Sequence, residues 1–89
     1  MTKRGKLEIM KDILKLVQDN NSIKPTPLSR KSNLSSKRFK EYYIELIGKN
    51  LIKETINSNH EKHVSLTENG FRFLDKYKTI ISFIDEFEL

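Results

Sequence analysis

The sequence predicts an α+β fold that is mainly α-helical, with a two-stranded hairpin and a long C-terminal helix. Three long segments, residues 6–19, 36–48 and 67–87, repeat apolar residues at three- and four-residue steps. Between the last two lies a pair of short segments typical of β-strands. Of the 89 residues, 27 are Leu, Ile, Val or Phe, which is enough for one domain with a thin core.

The first helix is predicted from Lys6 to Asp19. Asn20 and Asn21 end it, because asparagine tolerates the left-handed conformation that closes helices. Its apolar residues share one face: Leu7, Met10, Ile13, Leu14 and Val17.

Two helices joined by a tight turn are predicted next. A short helix from Pro27 to Lys31 follows Thr26, which is a suitable N-cap. Asn33 suits the turn and Ser35 suits the cap of a third helix, which ends near Gly48–Asn50. The apolar face of that third helix consists of Phe39, Tyr42, Tyr43, Leu46 and Ile47.

A β-hairpin is predicted after the third helix. Leu51–Ile56 favours a strand, residues 57–62 are polar and turn-rich, and His63–Leu66 favours a returning strand. Two helices with a tight turn, followed directly by a hairpin, form a winged helix-turn-helix. Residues 57–62 are then the tip of the wing.

The last helix is predicted to begin after Thr67, its N-cap, and to extend to about residue 87. At about 1.5 Å per residue, a helix of this length is longer than the diameter of so small a domain. Phe71 and Leu74 are expected to pack back onto the domain. The other apolar positions have the spacing of a coiled-coil seam: Phe73, Tyr77, Ile80, Ile84 and Phe87. The predicted division is a DNA-binding domain, residues 1–66, and a dimerisation helix, residues 67–89.

Charge is distributed unevenly along the chain. The net charge is +5, with 11 basic and 3 acidic residues in residues 1–40 and 6 basic and 9 acidic residues in 41–89. A basic half of this kind is typical of proteins that bind nucleic acid. No apolar run approaches the roughly 20 residues of a membrane span, and the first residues lead into an amphipathic segment. A cytoplasmic, nucleoid-associated protein without membrane contact is expected.

Several short motifs resemble those of the small archaeal winged-helix DNA-binding proteins, and they occur in that family's order. They are Arg4-Gly5-Lys6-Leu7-Glu8-Ile9, Asp12-Ile13-Leu14, Lys31-Ser32-Asn33-Leu34-Ser35, Lys40-Glu41-Tyr42, Lys49-Asn50-Leu51-Ile52 and Leu66-Thr67-Glu68-Asn69-Gly70. The resemblance implies a transcriptional regulator or a chromatin-type protein that dimerises through antiparallel C-terminal helices. Two features depart from the family: Asn50 replaces the usual glycine, and the C-terminal helix is shorter.

The third helix supplies the candidate DNA-reading residues. With its apolar face on the core, it directs Lys37, Lys40, Glu41 and Ile44 outward, and Ser36 lies at the end that approaches base edges. Lys37 and Lys40 suit guanine or phosphate, and Ile44 suits a thymine methyl group. A solvated charged face is the simpler alternative. Phosphate contacts are predicted for further basic residues: Arg38, Arg30, Lys31, Arg4, Lys6 and, more weakly, Lys62 in the wing.

The second half of the last helix is the candidate dimer interface. The predicted interface residues are Tyr77, Ile80, Ile81, Ile84 and Phe87. Burial of such side chains, at roughly 1.5–3 kcal/mol each, offsets much of the cost of association. A symmetric homodimer bound to double-stranded DNA is predicted, with a heterotypic partner as the alternative.

Other functional classes find little support in the sequence. His60 and His63 are three residues apart, but the chain has no cysteine and the ligand set is incomplete. The motifs of nucleophilic catalysis and of phosphate-binding loops are missing. The expectation is therefore no enzyme, no cofactor or metal, and no small-molecule ligand. A protein-interaction module and, more weakly, RNA binding with Tyr42 as the stacking residue remain alternatives.

Overall fold

The computed structural model describes residues 5–89, which form four helices and one hairpin. In chain order these are α1 (Lys6–Asp19), α2 (Pro25–Lys31), α3 (Ser36–Gly48), β1 (Ile52–Ile56), β2 (Lys62–Leu66) and α4 (Glu68–Glu86). The predicted mainly helical winged helix-turn-helix with a long C-terminal helix is confirmed. Within residues 5–89, no helix has the length and apolar character needed to cross a membrane.

The hairpin is joined to the helical body by a short backbone bridge. β1 and β2 pair antiparallel, from Ile52 opposite Leu66 to Ile56 opposite Lys62. On the other side of β2, Ile23 exchanges two backbone hydrogen bonds with Val64, with N···O distances of 3.0 and 2.8 Å. The segment between α1 and α2 therefore extends the sheet by one residue pair and holds the hairpin against α1.

The core lies where α1 meets the other elements. α1 buries five apolar side chains, as its periodicity predicts for four of them: Ile9, Met10, Ile13, Leu14 and Val17. The other elements close over it with Ile23, Leu28, Phe39, Leu46, Leu51, Ile52, Val64 and Leu66. Leu7, which was also expected on the buried face, is 49% exposed because it lies at the start of the helix, beyond the edge of this core.

The start of α2 corrects the sequence prediction. The helix begins at Pro25, and its N-cap is Lys24 rather than Thr26. A residue that precedes proline favours extended backbone, which Lys24 adopts with φ −72° and ψ 149°, and proline suits the first helical position. The second strand likewise begins one residue earlier than predicted, because Lys62 pairs with Ile56.

The predicted caps of the third and the last helix, and the predicted turn residues, are confirmed. The Ser35 hydroxyl accepts a hydrogen bond from the Arg38 amide at 3.2 Å, and the Thr67 hydroxyl accepts one from the Gly70 amide at 3.0 Å. Three asparagines adopt the left-handed conformation at the helix ends and in the turn: Asn21 (φ 59°), Asn33 (φ 60°) and Asn50 (φ 58°).

The two halves of α4 have different surroundings. Phe73 and Leu74 in the first half pack against the core, whereas Phe71 is 51% exposed, so the expectation that Phe71 packs onto the domain is wrong. The rotation of the helix explains this, because Phe71 lies about 160° around the helix from Phe73. In a molecule of 50 × 28 × 21 Å, the second half of α4 and the residues after it leave five large apolar side chains exposed: Ile80, Ile81, Phe83, Phe87 and Leu89.

The contact of Gly70 with Leu51 gives a test of how α4 is held. A methyl group at Gly70 would overlap the Leu51 carbonyl oxygen, while one at Gly48 would have no atom within 4 Å. We expect Gly70→Ala to lower the free energy of unfolding by about 2 kcal/mol through overpacking. Gly48→Ala is the matched control and should raise it by a few tenths to about 1 kcal/mol, since alanine favours helix. Urea denaturation measures both, and equal stabilities would contradict the close approach.

Candidate nucleic-acid interface

α3 presents one face to the core and the opposite face to solvent. Phe39 and Leu46 are buried, and Tyr42, Tyr43 and Ile47 pack around them. This orientation leaves a continuous outer surface, which we call the α3 outer face: Lys37, Lys40, Glu41 and Ile44, all exposed. The predicted direction of these four side chains agrees with the structure.

Positive charge is concentrated around the beginning of α3. Lys37 and Lys40 make no ion pair with any carboxylate of residues 5–89, nor do Arg30 and Lys31 at the end of α2. Arg38 lies to one side, with its guanidinium carbon 6.0 Å from the centre of the Tyr42 ring. The helix-turn-helix therefore carries a group of unneutralised cations at the end of α2 and the beginning of α3.

Two other predicted phosphate-binding residues have carboxylate partners within the chain. Lys6 Nζ lies 2.9 Å from Glu45, and this hydrogen-bonded ion pair raises the pKa of Lys6 and lowers the pKa of Glu45. Lys62 Nζ lies 3.7 Å from Glu54. A phosphate at either lysine would have to compete with that carboxylate. Arg4, also predicted to contact phosphate, lies outside the described residues.

Side-chain contacts link α3 to the hairpin. The Tyr43 hydroxyl donates a hydrogen bond to the Glu54 carboxylate on β1, and burial together with this bond raises the pKa of Tyr43 well above its usual range. Lys24 forms an ion pair with Glu61 in the wing tip, and the hydrogen bond from Lys24 lowers the pKa of Glu61. The sequence did not predict either contact. The two residues of each pair are neither one helical turn apart nor opposite each other in paired strands.

Asn57 organises the tip of the wing. Its side-chain oxygen accepts hydrogen bonds from the amides of Asn59 and Glu61, at 2.9 and 3.0 Å. Its amide nitrogen lies 3.3 Å from Nε2 of His63, while His60 occupies the turn with φ 60°. Across residues 5–89, no three potential ligands among His, Asp and Glu converge on a metal position.

The predicted dimer residues lie in the C-terminal part of α4 and at its C-cap. Tyr77 is half-buried, with Lys11 Nζ of α1 at 5.6 Å from its ring centre, and Ile84 is also half-buried. Ile80, Ile81 and Phe87 are exposed. A groove of about 450 Å³ runs between α1 and α4, with both apolar and charged walls. Its lining includes Lys11, Lys15, Phe71, Leu74, Lys78 and Ile81.

Comparisons with known proteins agree with this architecture. The family model described as winged helix-turn-helix matches residues 3–85. F-93 from SSV1 is 28% identical, with a TM-score of 0.68 over 89% of this chain and 91% of that chain. A mutant of MarR from E. coli, complexed with operator DNA, is 17% identical, with a TM-score of 0.67 over 75% of this chain and 49% of that chain. A mutant of MepR from S. aureus, bound to an oligodeoxyribonucleotide, is 12% identical, with a TM-score of 0.76 over 88% and 59%.

The likeness to MarR and MepR concerns the fold, and this chain spans about half the length of those proteins. The likeness to F-93 extends over almost all of both chains. Among curated protein sequences, none matches this one. Since the family model matches nearly the entire chain, the protein belongs to the winged helix-turn-helix family.

Proposed function

We propose that this protein is a homodimeric DNA-binding protein, acting as a transcriptional regulator or as a chromatin-type architectural protein. The observation that carries the proposal is the group of unpaired cations on α3 and at the end of α2. The DNA-bound structures of the MarR and MepR mutants, which have the same fold, support it. No enzymatic activity is part of this proposal.

In the proposed complex, α3 lies in the major groove. α3 has 13 residues and an exposed outer face, and a helix fits the groove's width of about 12 Å. Ser36 lies at the N-terminal end and Lys37 and Lys40 on the outer face, so these residues approach base edges and phosphates. The remaining phosphate contacts come from the flanks: Arg30, Lys31, Arg38, Arg4, Lys6 and Lys62.

We assign dimerisation to the second half of α4, within a division into residues 1–66 for DNA binding and 67–89 for dimerisation. The predicted interface residues, Tyr77, Ile80, Ile81, Ile84 and Phe87, would leave exposed apolar surface on a monomer. All basic residues of α4 lie at or before Lys78, and after Lys78 the helix carries only the acidic charges of Asp85 and Glu86. Antiparallel pairing places opposite charges side by side and satisfies two-fold symmetry, whereas parallel pairing would place the acidic ends together.

Binding to a duplex of about 30 random base pairs, measured at several salt concentrations, tests the proposal. A dimer that neutralises about eight phosphates should show log K falling with log salt at a slope of about −7. Light scattering on the same sample gives the mass. A slope of about −1 would contradict a cationic recognition surface. In a cell, such a protein would be cytoplasmic and associated with the nucleoid.

The exposed apolar half of α4 also favours a second candidate function, a winged-helix subunit that docks on a different protein. That function predicts a chain that remains monomeric or aggregates when alone, and that ignores DNA at physiological salt. The combined measurement of mass and binding therefore separates the two functions. A dimer with steep salt dependence excludes the second one.

A further inference from the structure

The α3 outer face contains two residues that phosphate binding does not require. Glu41 is exposed and makes no ion pair with any cation of residues 5–89. Ile44 is 60% exposed, and it is the one apolar side chain on the α3 outer face. Both share the outer face with Lys37 and Lys40, because residues three, four and seven apart lie on the same side of a helix.

A carboxylate at the position of Glu41 opposes non-specific DNA binding. It lies one turn from Lys37, yet the two side chains do not pair in the structure. In the major groove, repulsion from phosphates is compensated when a carboxylate accepts a hydrogen bond from a base. The N4 amino group of cytosine is the donor that Glu and Asp accept from there.

Ile44 faces the same groove with an apolar side chain. Major-groove edges of base pairs are polar except for the C5-methyl group of thymine. Contact with that methyl group removes apolar surface of both partners from water, which is favourable. A lysine or serine at position 44 would suit phosphate better, so isoleucine there favours a base contact.

We propose that Glu41 and Ile44 determine the sequence specificity of this protein, Glu41 through the N4 amino group of cytosine and Ile44 through the methyl group of thymine. This inference rests on the proposed function, in which α3 enters the major groove. The two residues are about 4.5 Å apart along the helix axis, close to the rise of about 3.4 Å per base step. The preferred site therefore contains a cytosine and a thymine contact no more than about two base steps apart.

Site selection from a pool of randomised duplexes tests the inference. The wild type should select a motif with both bases, Glu41→Gln should lose the cytosine preference, and Ile44→Ala should lose the thymine preference. Discrimination at the cytosine should fall by at least about fivefold in Glu41→Gln, as expected for one base contact. Affinity for random duplex should rise in the same variant, because a negative charge is removed. The two effects of Glu41→Gln thus have opposite signs.

Glu45→Gln is the matched control, since it removes the same charge one turn along the helix. Glu45 is paired with Lys6 and lies beside the outer face. Its replacement should raise affinity for all sequences equally and leave the selected motif unchanged. Glu41 and Ile44 are exposed, so Glu41→Gln and Ile44→Ala should keep the fold, and circular dichroism tests this.

Replacement of the selected thymine by deoxyuridine removes only the methyl group. Wild-type affinity should fall by about fourfold, the effect of one apolar carbon lost from a contact, and Ile44→Ala should bind both duplexes equally.

Variants that select the wild-type motif would overturn the inference. So would a wild type that binds DNA with a steep salt dependence but selects no motif, although DNA binding itself would then stand. A protein that binds no duplex at low salt would overturn both proposals.

Discussion

Replacement of Lys37 and Lys40 by alanine is expected to lower the affinity for duplex DNA by about 100-fold at low salt. A dimer loses four cations, and at roughly 0.7 kcal/mol for each exposed ion pair with phosphate, this corresponds to that factor. The slope of log K against log salt should become less steep by about 3.6, since each phosphate contact contributes about 0.9. Fluorescence anisotropy with a labelled duplex at several salt concentrations measures both quantities.

The control for this variant is Lys49→Ala/Lys76→Ala, which removes the same charge from outside the α3 outer face. Lys49 lies 3.8 Å from Glu45 at the end of α3, and Lys76 is exposed on α4. This control should lose only a few-fold in affinity through the change in net charge. Equal losses in both variants would mean that DNA responds to total charge, and α3 would then have no special role.

Replacement of Ile80 by aspartate is expected to convert the dimer into a monomer at micromolar concentration. Ile80 is the first of the exposed apolar residues that run from Ile80 to Leu89, so antiparallel two-fold pairing places it against apolar side chains of the other copy. The dimer loses two buried isoleucines at roughly 1.5–3 kcal/mol each and gains two like charges, which weakens association by more than about 100-fold. Light scattering over a concentration series gives the mass, and DNA affinity should fall with it.

Thr79→Asp is the control for the dimer variant, with the same charge added at the adjacent position. Thr79 is exposed on the polar side of α4, where its hydroxyl donates to the Asp75 carbonyl oxygen at 3.2 Å. The control should remain dimeric. Because Ile80 is 48% exposed in the monomer, its replacement should leave thermal unfolding of the monomer nearly unchanged. An Ile80→Asp protein with the mass of a dimer would exclude α4 as the interface.

Much of the fold could be predicted from short stretches of sequence. Ser35 and Thr67 precede helices and cap them, and Asn33 and Asn50 adopt the left-handed conformation that ends a helix or turn. These features depend on a residue and its neighbours within four positions. The helical period alone likewise predicted the outward direction of Lys37 and the exposed apolar stripe on α4.

The contacts that the sequence did not predict join residues that are far apart in the chain. The bridge between Ile23 and Val64, the hydrogen bond between Tyr43 and Glu54, and the ion pair of Lys6 with Glu45 join positions 41, 11 and 39 residues apart. No local pattern encodes such pairs, because each arises from the way whole elements pack.

The sequence by itself determined the order of the elements, the buried face of α3 and the concentration of positive charge before residue 41. Periodicity and capping are local properties of the sequence, and they do not depend on how the elements pack against each other. Only the tertiary structure decided that Phe71 is exposed while Phe73 is packed, that Gly70 fits against Leu51, and that carboxylates accompany Lys6 and Lys62 but not Lys37. Those outcomes depend on the rotation and register of one element against another, which the packing of side chains in the core sets.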